Sequence, residues 1–293
     1  MTLLLKNNRQ EVLAVFDNDC SPLFEHNPTE EPVFLPGNML ESARIQKDLP
    51  PLVVPEGCVL DFDGELVDFL LTNRRAELEP SWPCFHTRLY LWHANGAEYG
   101  IIGGTVGASF AVLVAEELFA LGCRALVTIS SAGLIAEDLQ PPLFLLIDKA
   151  LRDEGTSYHY LPPQRFAFAS PAQVEAVARR LHEGVFQFCQ GSSWTTDAPF
   201  RETSELISAR REEGIIAVEM EAAALLAMAE ALNRRVICLA HITNAMATRS
   251  NDFEKGGDDG NEAALQVCVT ALSALLETAS PISEFSEVKP PST

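Results

Sequence analysis

Apolar runs bounded by Gly, Pro or Asn alternate with helix-like amphipathic stretches along most of this chain. Such alternation predicts strands and helices in turn. In chain order the predicted elements are a helix at 38–47, a strand and turn at 58–64, strands at 85–93 and 99–104, a helix at 109–121, strands at 125–129 and 142–147, a helix at 174–183, an extended segment at 184–191, a strand at 235–243 and a helix at 262–277. This succession predicts an α/β fold with a mixed sheet and helices on both faces.

Two local signals add connections between these elements. The Asn95-Gly96 dipeptide separates two predicted strands and is typical of a tight β-hairpin. The helix at 109–121 follows one strand and precedes another, which implies a parallel strand pair joined by a right-handed crossover.

The chain divides by composition into three segments. Residues 1–57 are rich in Pro, Asn and acids, and we interpret them as an N-terminal extension. Residues 58–280 carry the alternating pattern and are predicted to form one domain. Residues 281–293 are predicted to be a polar C-terminal tail.

The composition is that of a chain with a sizeable core. Hydrophobic residues make up 47% of the chain, and no apolar run reaches the ~18 residues that would span a bilayer. The first residues lack a basic region followed by a long apolar segment, so we do not interpret them as a signal peptide. Seven scattered cysteines without a CxxC pair are typical of reduced thiols, which indicates a cytoplasmic protein.

The net charge of −20 argues against nucleic acid and anionic membranes as partners, because both need clustered Lys and Arg. It also gives no long-range attraction to an anionic substrate. No spacing of His, Cys and carboxylates resembles a metal site.

The segment from Gly214 to Leu226 carries the strongest chemical signal. A short apolar run leads into Glu219-Met220-Glu221, and a helical stretch rich in Ala and Leu follows at once. Buried carboxylates are unfavourable unless donors meet them, and the vicinal hydroxyls of a sugar are such donors. A thioether offers a soft apolar surface to a sugar ring. Equally, acids suit the first turn of any helix because of its dipole, so both interpretations stay open.

Other polar residues follow predicted strands, where ligands gather in sheets of this kind. The turn from Ser130 to Gly133 could hold an oxyanion or could be a tight turn of small residues. The turn from Gly104 to Gly107 could cradle phosphate at a helix N-terminus, although it lacks the lysine of a P-loop. His241, on an apolar strand, is expected to be a core residue.

Two further side chains could recognise a flat base. Trp194 offers a face for stacking, or it could be a core tryptophan. Asn244 ends a buried strand, and its amide can both donate to and accept from a base edge.

In order along the chain, these segments resemble the nucleoside phosphorylase family, which comprises purine nucleoside and uridine phosphorylases. The similarity runs from about residue 58 to 276 and includes the glycine turn with its helix and the SSAG segment. It is most specific in three further segments, which are RDEGTSYHYLP at 152–162, TTDAPFRE at 195–202 and AVEMEAAALL at 217–226.

The resemblance implies a single α/β domain around a mixed, partly barrel-like sheet, assembled as a trimer or hexamer. It implies salvage chemistry without a cofactor, in which phosphate is the co-substrate and the N-glycosidic bond of a nucleoside is cleaved to free base and pentose 1-phosphate. The roles carried over by matching position are Met220 under the ribose, Glu221 on its 2′ and 3′ hydroxyls, Thr105 and Ser131 at the phosphate, Gly133 beside the base, Trp194 stacked on it and Asn244 facing it.

The chain departs from the family at the anion site. Thr128 and Leu66 stand where the family has arginines, and only Arg88 could supply a third. Losing two charged contacts weakens anion binding by about 3–6 kcal/mol. Asn244 replaces the acidic aspartate of the purine branch, which favours oxo bases over adenine. Three interpretations therefore stay open, which are a phosphorylase with a modified anion site, a hydrolase of the same superfamily, and a noncatalytic nucleoside-binding protein.

Overall fold

The computed structural model describes residues 22–25, 27–141, 143–244 and 259–277, with the backbone alone for 243, 244 and 259. The predicted tail at 281–293 lies outside these residues, as does the first third of the predicted N-terminal extension. No helix within the described ranges is both long and apolar enough to cross a bilayer. Six of the seven cysteines are described, and all six are free thiols.

Seven α-helices and ten strands are described. The helices are α1 (Pro36–Gln46), α2 (Glu65–Thr72), α3 (Ala108–Ala120), α4 (Pro171–Glu183), α5 (Ser204–Glu212), α6 (Ala222–Ala231) and α7 (Asp259–Glu277). The strands are β1 (Gly57–Asp61), β2 (Ala76–Leu78), β3 (Tyr90–Ala94), β4 (Ala97–Gly103), β5 (Ala125–Leu134), β6 (Leu143–Asp153), β7 (Phe166–Phe168), β8 (Phe188–Thr196), β9 (Ala217–Glu219) and β10 (Val236–Asn244).

The strands form one mixed sheet that closes on itself in part. Strands β5, β10, β6, β8 and β9 pair in a ring, because β10 pairs with β5 on one side and β6 on the other, while β9 links β8 to β5. Strands β1, β4, β3 and β2 extend from β5 as an open wing, and β7 pairs with β6. The predicted α/β fold with a partly barrel-like sheet is confirmed.

The predicted hairpin is present. Asn95 and Gly96 both have positive φ, 52° and 79°, which is the backbone that a two-residue turn between twisted strands requires. Strand β3 begins later than predicted, because residues 85–89 form a loop.

The predicted parallel pair on either side of α3 needs a correction. Strands β4 and β5 are both parallel to β1, which lies between them and pairs with each. The periodicity that predicted a parallel pair held no information on whether another strand lies between its two members.

The helix in the N-terminal segment packs on the domain. Leu40 and Ala43 of α1 are each 1% exposed, and Leu40 belongs to the main core together with Val54. Shortly before β1, the Val54 N–H donates a hydrogen bond to the Leu121 carbonyl at 2.9 Å. Residues 36–56 are thus joined to the hydrophobic core by side chains and backbone.

Candidate functional site

The site lies where β1, β4 and β5 end side by side. Because the three strands are parallel, their carboxyl ends reach the same edge of the sheet. The backbone ties the following loops together. Gly104 N–H donates to the Asp61 carbonyl at 3.0 Å, and Phe62 N–H donates to the Ile129 carbonyl at 3.1 Å. Strand β9 delivers Glu219-Met220-Glu221 to the start of α6.

Glu219 is a fully engaged helix cap. It is 5% exposed, and its Oε1 accepts hydrogen bonds from the hydroxyls of Ser193 at 2.8 Å and Thr195 at 2.6 Å. Its Oε2 accepts the N–H groups of Glu221 and Ala222, both at 2.7 Å. These N–H groups at the start of α6 have no partners within the helix, so Glu219 supplies what a helix N-terminus lacks.

Glu221 is buried with much less hydrogen bonding. It is 3% exposed. Its Oε1 accepts Gly107 N–H at 2.7 Å, and its Oε2 accepts Met220 N–H at 3.2 Å. Since a carboxylate has about four acceptor positions, Glu221 keeps capacity for two further donors beyond its contacts with described residues. Met220, beside it, is half-buried.

The electrostatics of Glu221 differ from those of an ordinary surface acid. Burial, followed by the charge of Glu219, raises the pKa of Glu221 to about 8 despite its two backbone hydrogen bonds. Burial also raises the pKa of Glu219, against its four hydrogen bonds. Burial and the charge of Glu219 thus disfavour the charged form of the Glu221 carboxyl group, and further hydrogen-bond donors, such as the hydroxyls of a ligand, would stabilise that charged form.

The two predicted phosphate ligands occupy different environments. Thr105 is completely buried, and its Oγ1 has no hydrogen-bond partner among the described residues. Ser131 is exposed, and its backbone N–H donates to Asp63 Oδ2 at 2.8 Å. The backbone amide of this predicted phosphate ligand is therefore already bound to a carboxylate.

Acidic groups surround this position. A cavity of about 40 Å³ is lined by Asp61, Asp63, Glu65, Ser131 and His241, among others, with no Lys or Arg among the described lining residues. Burial raises the pKa of Asp61 to about 7. Burial also lowers the pKa of His241.

The residues at the positions of the family's arginines do not neutralise the negative charge of these acids. Thr128 is completely buried in β5 and lies opposite Cys238 of β10. Leu66 is buried in α2. Arg88 is exposed and lines a neighbouring groove of about 540 Å³ together with Gly104.

Trp194 lies in a separate small core, and the predicted stacking role does not fit this environment. It is 1% exposed and packs with Leu151 and Val218, while its Nε1 donates to Asp153 Oδ2 at 2.9 Å. Its neighbours in β8, Ser193 and Thr195, bind Glu219, so alternation along the strand directs Trp194 to the other face. The core interpretation of Trp194 is the one that the structure supports.

The remaining predicted residues fall at one point of the sheet. Gly133 of β5 pairs with Val218 of β9 on one side and with Asn244 of β10 on the other. The Gly133 position is therefore within one strand of the Glu219-Met220-Glu221 segment. The side chain of Asn244 lies outside the described part of the chain. The SSAG segment is an extension of β5 and not the predicted turn.

Three acids and one amide of the site were missed by the sequence analysis. Asp61 is the last residue of β1, Asp63 and Glu65 follow it within four residues, and Gly107 N–H binds Glu221. The signal was present as three acids at the carboxyl end of a buried strand, in a place where ligands gather.

The segment at 152–162 is a structural network. The guanidinium of Arg152 donates to Ser157 Oγ at 2.8 Å and to the carbonyls of Leu161 at 3.0 Å and Pro162 at 2.8 Å. Glu154 in turn accepts the Ser157 N–H at 2.9 Å. These hydrogen bonds lie within the segment and fix its conformation, and the turn at Thr156–His159 lies near α6. Within the described ranges, no group of three His, Cys, Asp or Glu side chains could hold a metal ion.

The chain is similar to known proteins both in sequence and in fold. Residues 57–279 match the family model described as Phosphorylase superfamily. A guanosine phosphorylase from Halorubrum lacusprofundi is 20% identical over 188 residues, which is 62% of this chain and 78% of that protein. A DeoD-type purine nucleoside phosphorylase from Mycoplasma genitalium is 26% identical over 129 residues, which is 42% of this chain and 53% of that protein. The crystal structure of uridine phosphorylase from Vibrio fischeri ES114 superimposes with a TM-score of 0.62 at 20% identity, over 79% of this chain and 94% of that chain.

Proposed function

Because the chain belongs to the phosphorylase superfamily, we propose that it cleaves the N-glycosidic bond of a nucleoside with phosphate, giving free base and pentose 1-phosphate. The relatives named above are described as guanosine, purine nucleoside and uridine phosphorylases.

The observation that carries the proposal is the contrast between the two glutamates. Glu219 accepts four hydrogen bonds and accounts for the helix start. Glu221 is equally buried but accepts two. A buried carboxyl group with unused acceptors is costly unless a ligand meets it, and the vicinal hydroxyls of a pentose are two donors at the spacing of one carboxylate. Met220, half-buried beside it, would lie against the sugar ring.

In this proposal the pentose is oriented by Glu221, and the base leaves as the C–N bond breaks through an oxocarbenium-like state. Phosphate oxygen forms the new bond to the anomeric carbon, and the electron pair of the broken bond leaves with the base. Glu221 contributes by fixing the ring and by hydrogen bonds that are worth about 1.5–3 kcal/mol each to a charged group. Asn244 would hydrogen-bond the leaving base.

We propose oxo bases as the substrate class. An asparagine amide cannot protonate a base, but it can donate to a carbonyl oxygen of guanine, hypoxanthine or uracil. The descriptions of the guanosine and uridine phosphorylases are compatible with this preference.

One observation favours a second candidate, hydrolysis with water as nucleophile. Asp63 already occupies the Ser131 amide, and acids line the adjoining cavity. A phosphate dianion is disfavoured there, whereas a neutral water molecule is not.

A single assay separates the candidates. The protein is incubated with guanosine, inosine, uridine and adenosine, with and without phosphate, and free base is followed by chromatography. We expect base release from at least one oxo nucleoside that depends on phosphate and yields pentose 1-phosphate. Release at equal rates without phosphate would assign hydrolysis, and no release from any nucleoside would leave a binding role without catalysis.

A further inference from the structure

The contact between Asp63 and Ser131 sets a negative charge at the proposed phosphate position. Asp63 follows β1 and Ser131 lies in β5, so the hydrogen bond from Ser131 N–H to Asp63 Oδ2 at 2.8 Å joins the turn after β1 to the neighbouring strand. A backbone N–H at the carboxyl end of a strand is the kind of donor that an oxyanion takes. Here the oxyanion belongs to the chain itself.

Other acids lie around the contact between Asp63 and Ser131. Its carboxylate also acts on the buried carboxyl groups of Asp61 and Glu221, raising the pKa of each as a lesser cause after burial. Glu65 lines the same small cavity. Arg88 lines the neighbouring groove with Gly104 and is not among the residues that line this cavity. Phosphate would therefore have to displace one carboxylate and approach several others.

We propose that Asp63 is the residue that determines the specificity of this site for its nucleophile, because its carboxylate competes with phosphate for the Ser131 amide. The inference rests on the proposed function at this site. It predicts that the wild-type protein has a high KM for phosphate. The weak binding of phosphate would then have two causes, which are the Asp63 carboxylate and the missing arginines.

The test is the substitution Asp63→Asn, which keeps the size of the side chain and removes its charge. Initial rates of base release are measured over a range of phosphate concentrations with an oxo nucleoside at fixed concentration. The KM for phosphate is expected to fall at least about fivefold, equivalent to ~1 kcal/mol. A second variant is Asp63→Ser, which removes the whole carboxyl group and with it the oxygen that accepts the Ser131 N–H. It is expected to change the KM for phosphate in the same direction.

Glu65→Gln is the matched control. It removes the same charge from the same cavity but leaves the Asp63–Ser131 hydrogen bond in place, so its KM for phosphate is expected to change less than twofold. An effect of Glu65→Gln as large as that of Asp63→Asn would mean that the general field, and not the Asp63 contact, weakens phosphate, and would overturn the proposal.

Calorimetric titration of inorganic phosphate into the protein without nucleoside makes the test independent of catalysis. Asp63→Asn is expected to bind phosphate at least about fivefold more tightly than the wild type. Equal or weaker binding overturns the role of Asp63 even if nucleosides are cleaved. Tighter binding by the variant supports it even if no nucleoside is cleaved, in which case it is the proposed phosphorolysis that fails.

Discussion

At the residue scale, the central feature is that two glutamates separated by one methionine differ in how far their oxygens are engaged. Glu219 accepts four hydrogen bonds, two of them from the start of α6, and Glu221 accepts two. Glu219 therefore fits the interpretation of an acid that stabilises the start of a helix. Glu221 is the residue to which the sugar-binding interpretation applies.

Replacing Glu221 is predicted to impair catalysis. Glu221→Ala removes the proposed partner of the ribose hydroxyls and is expected to lower kcat/KM at least about tenfold, the equivalent of one charge-assisted hydrogen bond. The measurement is steady-state base release, with circular dichroism to verify the fold. Unchanged kinetics in a folded Glu221→Ala protein would remove the ribose role.

Replacing Glu219 is predicted to impair folding. Glu219→Ala leaves two backbone N–H groups and two hydroxyls without their acceptor and is expected to lower the free energy of unfolding by about 2–4 kcal/mol. Urea unfolding provides the measurement. Glu205→Ala, an exposed acid in the first turn of α5, is the control and should change stability by less than about 0.5 kcal/mol. Equal effects of the two substitutions would contradict the capping role.

The sequence could not distinguish these two glutamates. Both stand in the same short segment, and what separates them is the register of β8 against β9, which brings Ser193 and Thr195 beside Glu219. The same register directs Trp194 into a small core, so its stacking role was predicted from position along the chain without knowledge of the strand face.

At the element scale, helix and strand periodicity predicted most elements of the described chain, and their ends were less accurate. The segment at 184–191 was expected to be extended, but the strand is β8 at Phe188–Thr196. Helices α2 and α5 were not predicted. Helix α2 follows β1 after only three residues, and α5 carries no fully buried side chain, so neither gives a separate apolar run.

Helix α1 yields a prediction at this scale. Leu40 is 1% exposed, whereas Ile45 of the same helix is 64% exposed. Leu40→Ala is expected to lower the free energy of unfolding by about 2–4 kcal/mol, as for other buried leucines, because α1 packs on the main core. Ile45→Ala is the control, with an expected change below about 0.5 kcal/mol. Urea midpoints of the two variants are compared, and a stable Leu40→Ala protein would mean that α1 contributes little to folding.

At the scale of the whole molecule, buried acids make stability depend on pH. The pKa of Glu221 is raised to about 8 and that of Asp61 to about 7, chiefly by burial. The folded chain therefore keeps protons that the unfolded chain has lost, and the stability that they contribute disappears as pH rises through these values. His241, whose pKa is lowered by burial, acts in the opposite direction below its ordinary range near pH 6.5 and is excluded by working at or above pH 7.

Between pH 7 and pH 8.5 the free energy of unfolding is accordingly expected to fall by about 1–2 kcal/mol. Urea unfolding at the two pH values measures this difference. Glu221→Gln cannot titrate, and it should show a smaller fall than the wild type. A free energy of unfolding that is constant or rises over this range would contradict the raised pKa values.

The fold class was predictable because family-specific segments and apolar periodicity agree along the chain. The closure of the sheet into a ring followed from the resemblance alone, since it depends on β10 pairing with both β5 and β6. Pairings between strands that are about 90 to 110 residues apart leave no local signature. The acids at the end of β1 likewise come close to the predicted phosphate ligand Ser131 only because β1 pairs with β5. The sequence alone does not show this pairing.

The ring of strands has one more consequence, for contact with other copies of this chain. Each of its five members has a neighbour on both sides along at least part of its length. The free margins of the described sheet are therefore short, and they are β2 and β7, three residues long each, and the first residues of β8. Short margins give a foreign strand little backbone to pair with. Any self-association should therefore proceed through side-chain surfaces, and the native molecule should resist growth into extended β-fibres.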